Sequence, residues 1–291
     1  MKQTFLVLLA VSLSMVACGK KTVAGVADEA SNDQRYASFT LDSLRFDERI
    51  RAASDTMSEG MEISHYFEFP VKAKEGVALE SLQKTFSRIY LNDSTFEGTP
   101  TEAFAKEKER MTKEALREGE LWLEMVKEMG EVSVSFSYYE ERRRLEVEAE
   151  YENLISLSLD SYGYQGGAHG YGASAYYTVD LRDGKILNDT ILFGKDNLKE
   201  VEKLLREDIK SRVASDEDSE GYLTLLVGVD AIVPNNNLFF TSEGISYLYN
   251  QYEIAPYAAG QIEISLPYEQ VLPLVSDAYR KEIEAIQKSF L

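Results

Sequence analysis

The 291 residues contain two histidines, and one of them, His169, sits where an imidazole could do chemistry. The loop Tyr164-Gln-Gly-Gly-Ala-His-Gly170 surrounds it with Gly166, Gly167 and Gly170, and Tyr164 and Tyr171 flank it. There the ring can act as a base or a ligand. The competing reading is structural: glycines permit a tight, positive-φ connection between strands, and the imidazole hydrogen-bonds backbone to fix it. The structural reading carries more weight, and more still for His65, which lies in a strand of aromatic residues. No Gly-x-Ser-x-Gly supports a serine hydrolase. Two scattered histidines do not make a zinc site, and residues 163–172 lack the Lys-Ser/Thr ending of a phosphate loop. Asp216-Glu-Asp218-Ser-Glu220-Gly221 opens like a calcium loop, but Val227 stands where a bidentate Glu is needed. No catalytic residue, no metal and no cofactor is expected.

Cys18 is the only cysteine, so no internal disulfide can form. A basic start with Lys2 precedes an apolar stretch over residues 5–16, broken only by Ser12 and Ser14. About a dozen apolar residues suit a signal-peptide core, whereas a spanning helix needs ~20. Met15-Val16-Ala17-Cys18-Gly19 then resembles the lipobox of bacterial lipoproteins, with Met15 where leucine is commoner. The resemblance implies a signal peptide over 1–17, lipid attachment at Cys18 and an extracytoplasmic body. Membrane contact is then through the lipid anchor only; each buried methylene contributes ~0.8 kcal/mol, so two or three chains hold stably. Gly19-Lys20-Lys21 lacks an acidic run after the cysteine, which favours the periplasmic face of an outer membrane. Residues 18–34 are small and polar and read as a flexible tether.

The chain carries 31 basic and 50 acidic side chains, a net charge of −19. Phosphate recognition rests on clustered Lys and Arg, so nucleic acid is excluded as a partner. A strongly acidic body suits a basic partner, because opposite fields steer encounter. Tyrosine is abundant, with 18 residues. Exposed tyrosines offer contact surface to proteins or sugar rings, although many pack in strands.

Residues 61–71 alternate loosely and read as a strand. Leu79, Leu82, Phe86 and Ile89 have helical spacing. A second helix opens at Thr99-Pro100-Thr-Glu102, with Thr99 as cap, Pro100 at the first helical position and Glu102 reaching back; its character persists to Met129. Alternation at 132–138 and 145–151 predicts two strands joined by a turn across residues 140–143. Residues 155–159 make another strand, and Asp183-Gly184 predicts a type I′ hairpin turn between 176–181 and 186–187. Apolar spacing from Leu198 to Val213 predicts a helix, residues 216–220 an acidic loop, and residues 238–240, 245–249 and 261–266 strands. A final helix is expected over 273–289. The blocks of strands and helices give an α+β class, mainly antiparallel sheets with packed helices, in two intimately joined sub-domains, 35–160 and 161–291.

Two stretches taken together carry a resemblance. Tyr164-Gln-Gly-Gly-Ala-His-Gly170, followed by a strand and Asp180-Leu-Arg-Asp-Gly-Lys185, precedes Asn250-Gln-Tyr-Glu-Ile-Ala-Pro-Tyr-Ala-Ala-Gly260 and Ile262-Glu-Ile-Ser-Leu-Pro-Tyr268. Over roughly residues 60–275 the chain resembles the extracytoplasmic domain of RsiV-type anti-sigma factors and the PdaC-type domain of some peptidoglycan deacetylases. In the RsiV-type factors that domain is a receptor for lysozyme; the resemblance implies a fold and extracytoplasmic recognition of a protein or a glycan. Signalling across the membrane is not expected, because the apolar segment ends at Cys18. The candidate binding or structural loop residues are Tyr164, Gly166, Gly167, His169, Gly170, Tyr171, Tyr252 and Tyr257. The expected role is non-enzymatic capture of a macromolecule, a basic protein of lysozyme type. A peptidoglycan- or polysaccharide-binding module is the alternative, and a hydrolase at His169 a third.

Overall fold

The computed structural model describes residues 35–51, 60–130, 138–213 and 223–290. Cys18, the signal peptide, the tether, the alternating 132–136 stretch and the acidic loop at 216–220 lie outside those residues. Long strands β1 (Phe39–Ile50) and β2 (Gly60–Ala73) pair antiparallel; β1 has no counterpart among the expected strands. Helices α1 (Leu79–Leu91) and α2 (Pro100–Met129) follow at the expected positions. Thr99 and Glu102 form the reciprocal cap: Glu102 N–H donates to Thr99 Oγ1 at 3.3 Å, and Thr99 N–H to Glu102 Oε2 at 2.8 Å.

Three further strands, β3 (Tyr138–Tyr151), β4 (Leu154–Tyr164) and β5 (Tyr171–Asp180), complete a sheet ordered β1-β2-β3-β4-β5. Every pair in it is antiparallel except β2–β3, which is parallel, with α1 and α2 as its crossover. Both helices cover one face, where Phe86, Tyr90, Phe104 and Met111 meet Ile63, Phe67 and Leu145. The expected turn across 140–143 is not there: β3 runs straight through it. The charges that suggest a turn are absorbed by pairing. Arg143 reaches Glu107 on α2 at 3.2 Å, while Arg142 and Arg144 pair with Glu140 and Glu146 on the face opposite the helices. The division expected between residues 160 and 161 falls inside β4, and the first sheet continues to Asp180.

The chain then reverses over residues 181–184. Asp180 N–H donates to Lys185 O at 2.9 Å and Gly184 N–H to Asp180 O at 2.8 Å. This is a four-residue turn, not the expected type I′, since Gly184 (φ 73°) has a left-handed backbone and Asp183 does not. Its shape is set by α1: Thr85 Oγ1 donates to Gly184 O at 2.6 Å, and a Cβ at Gly184 would come within 2.7 Å of the Ser81 backbone.

A second lobe follows, comprising α3 (Asp189–Phe193), α4 (Leu198–Arg212), β6 (Leu238–Phe240), β7 (Gly244–Tyr249), β8 (Ile262–Pro267), α5 (Tyr268–Val271) and α6 (Arg280–Ser289). Its three strands form an antiparallel sheet. Val201, Leu205 and Ile209 of α4 and Ile283 of α6 enclose a core with Tyr247 and Ile264. The final helix begins at Arg280, later than expected, because residues 272–274 form a 3-10 turn around Pro273 and Val275 is extended. The class is α+β, with two sheets that are mostly antiparallel.

Candidate functional site

The site is built on the β5 edge, where the second lobe meets the first sheet without a strand ladder. Asparagine side chains take the ladder's place. Asn237 accepts from Tyr176 N–H at 2.8 Å and donates to Ser174 O at 2.9 Å. Asn250 accepts from Ser174 N–H at 2.8 Å and donates to the same carbonyl at 3.1 Å. Each carboxamide presents one donor and one acceptor in a plane, as a backbone amide does. Two neighbours extend the joint. Asn235 donates to Leu248 O and Glu253, both at 2.8 Å. Asn236, at φ 59°, exchanges bonds with the buried Asp189, which also accepts from Tyr247 OH at 2.7 Å.

This joint fixes the loop at 250–260. Asn250 N–H donates to Glu253 Oε2 at 2.8 Å, and Leu226 N–H to Ile254 O at 2.9 Å. Tyr252 adopts φ 66°, an uncommon value for a large side chain, and is 56 % exposed. Tyr257 lies 5.7 Å from it, ring to ring, and stacks on His169 at 4.0 Å and 19°. On the opposing side Gly166 and Gly167 take φ of 81° and 98°, and Tyr164 OH donates to Gly167 O at 3.0 Å. His169 Nδ1 is 2.9 Å from Gly170 O, its only hydrogen bond among the described residues. The structure thus brings His169, Tyr252 and Tyr257 into one exposed aromatic cluster. Tyr164 folds back on its own loop. Tyr171 goes to the helix side of the sheet, its ring lying where a side chain on Gly163 would be; burial and then Glu141 push its phenol up.

His65 is placed differently. It is buried under α2, and its Nδ1 shares a hydrogen bond of 2.9 Å with Tyr90 OH. Burial holds its pKa at about 4, so the ring is neutral. Beside it the buried Glu107 accepts two bonds from Arg110, at 2.7 and 2.8 Å, and one from Arg143. Despite its burial these partners hold its carboxyl below the usual range. Glu141, next along β3, is pushed up to about 7 by burial. The asparagines and Glu141 escaped the sequence reading. The run Asn235-Asn236-Asn237 was the available signal.

Among the described residues no group of His, Cys, Asp and Glu is arranged to hold a metal, and no helix is long and apolar enough to cross a membrane. The aromatic cluster presents ring faces and edges, and among the described residues no carboxylate or hydroxyl hydrogen-bonds His169.

Residues 190–269 match a family described as a protein of unknown function, DUF3298. The span includes the asparagine run, Tyr252 and Tyr257, and stops short of His169. No curated protein matches. A member of that family from Bacteroides fragilis superposes with a TM-score of 0.73 at 24 % identity, over 85 % of this chain and 98 % of its own. A DUF3298 family protein from Pseudomonas aeruginosa superposes with a TM-score of 0.50 at 15 % identity, over 81 % of this chain and 95 % of its own. Both are likenesses of fold.

Proposed function

We propose that this chain is a non-enzymatic lipoprotein of the cell envelope that captures a basic extracytoplasmic protein. One observation carries the reading: the aromatic cluster of His169, Tyr252 and Tyr257 stands exposed, and the loop that carries the two tyrosines is anchored at Asn250 to the β5 edge. Rigid, exposed tyrosines on a fixed loop make contact surface at small entropic cost, as at protein interfaces. The net charge of −19 favours a basic partner. The resemblance of the two loop motifs to RsiV-type receptor domains supports the same class of ligand, and lipidation at Cys18 would hold the body at the periplasmic face of the outer membrane.

Lysozyme is the probe. Titration at low and moderate salt should give saturable binding that weakens with salt. Tyr252→Ala should raise Kd at least tenfold, the ~1.4 kcal/mol expected of an interface anchor. No saturable binding at either salt removes the reading. The anchor has its own test: Cys18→Ser should abolish incorporation of a clickable fatty acid in cells.

A further inference from the structure

We infer that the hollow between α1 and the start of the second lobe is a binding site for a small apolar carboxylate. Its volume is about 510 Å³, and it lies at the C-terminal end of β5, whereas the aromatic cluster lies at that strand's start. Both lobes build it. α1 and the residues just after it line one side, the 183–186 turn and Ile191 of α3 the other, and Tyr177 of β5 completes the lining. The two sides are joined before any ligand arrives: Thr85 bonds the Gly184 carbonyl, and Ala78 N–H donates to Leu181 O at 2.8 Å. A pre-formed hollow of this size at a junction of lobes is where small molecules bind. Ile186 and Ile191 are 36 % and 38 % exposed, and they share the hollow with Ile89 and the Tyr177 ring. Apolar groups left open in a concave site are what the body of an apolar ligand covers.

The charged side chains around it select the sign of the ligand's polar end. Lys84, Arg88 and Lys185 line the hollow against Asp93 and Asp183, an excess of bases in a chain with 31 bases and 50 acids. Both acids are already engaged. Asp93 accepts from the Thr95 N–H and hydroxyl and from Lys106, and Asp183 from the Lys185 N–H and ammonium. The last carbonyls of α1 are taken as well: Asn92 N–H donates to Ile89 O at 3.1 Å, and Asp93 N–H to Arg88 O at 3.0 Å. A cation entering the hollow therefore meets acceptors in use. The bases on α1 are held more loosely. Lys84 and Arg88 share the carboxylate of Glu97, which is 67 % exposed, and Lys84 also reaches the exposed Glu80 at 3.1 Å. Exposed ion pairs contribute little, because water and salt screen them, so a ligand carboxylate can take the place of Glu97. Arg88 is set to receive it. Its Nε donates to Phe96 O at 2.9 Å, which fixes a guanidinium whose planar donors match a carboxylate.

The test uses the full chain in lipid nanodiscs, titrated calorimetrically against empty discs with 2-naphthoate, its neutral amide and the cationic 2-naphthylmethylammonium. Saturable binding of naphthoate is expected, at least tenfold tighter than of either analogue and weaker at higher salt. Ile191→Asp, at an exposed side chain, should abolish it with little change in Tm. Arg88→Gln should cut the preference for naphthoate over the amide to less than threefold. Because Arg88 also holds the Phe96 carbonyl, that variant can fail to fold. Lys84→Gln, whose partners are exposed carboxylates, then carries the test and should reduce the preference at least threefold. No saturable binding of naphthoate, equal binding of the three probes, a preference for the cation, or full affinity for naphthoate in Lys84→Gln or Ile191→Asp would overturn the inference.

Discussion

His65 and His169 each meet a tyrosine, and the two regions use that pairing for opposite ends. His65 meets Tyr90 edge-on, at 6.2 Å and 87°, inside a buried set of charges beneath α2. His169 lies flat on Tyr257 at the surface, beside a loop that Asn250 anchors to Ser174 of the β5 edge. In the first region each polar group is needed by its neighbours, so the residues are committed to the fold. In the second the rings are spectators of folding and remain available to a partner. Chemistry-bearing residue types alone do not separate these cases; burial and the identity of the hydrogen-bond partners do.

The sharpest way to break the contrast is at Glu107. Glu107→Ala leaves Arg143 without its carboxylate, and urea unfolding should show a loss of about 3–5 kcal/mol. A second test uses pH. His65 has its pKa lowered by burial from 6.5 to about 4, so the unfolded chain takes up a proton that the folded one refuses, and stability rises as pH rises from 4 to 6.5. Glu141 has its pKa raised by burial from 4.5 to about 7, so the folded chain keeps a proton that the unfolded one loses, and stability falls as pH rises from 4.5 to 7. The two slopes oppose each other between pH 4.5 and 6.5. Glu141→Gln should leave a Tm that climbs across that window, and His65→Gln one that declines; two unchanged profiles would show that neither group titrates as described.

Smaller effects lie at the joint and the surface. Asn237→Ala strips two bonds from the β5 edge and should cost about 1–3 kcal/mol, with faster amide exchange at Tyr176. His169→Ala should shift stability by less than about 0.5 kcal/mol. A larger loss there would place His169 among the residues the fold depends on and dissolve the contrast.

Local signals made much of this readable in advance. The Thr99–Glu102 cap, the apolar spacing of α1 and α4, and the short apolar runs of β6, β7 and β8 are each decided within a few residues. β1 was hidden because its apolar alternation slips at a bulge between Thr40 and Leu41 and then runs into charged residues. β3 was cut in two because Glu140, Glu141, Arg142 and Arg143 look like a turn until Glu107, far off in sequence, supplies a partner. The candidate site divides likewise. Its glycines and tyrosines could be read, and two of the tyrosines gathered with His169. The amide-to-edge contacts of Asn237 and Asn250 join residues more than sixty positions apart, so the run Asn235-Asn236-Asn237 marks a place but not its partner.

The parallel pairing of β2 with β3 also dictates an order of assembly. The β1–β2 hairpin and the β3–β4–β5 meander are each built from sequence neighbours and can form early. Joining them must wait until α1 and α2 are laid across the gap, so the central seam of the sheet is the late, slow contact. Until it closes, β2 and β3 each present an unpaired edge with an apolar side. A chain emerging from its N-terminus would hold β2 in that state while both helices follow, which makes this seam the place where a folding helper has most to protect.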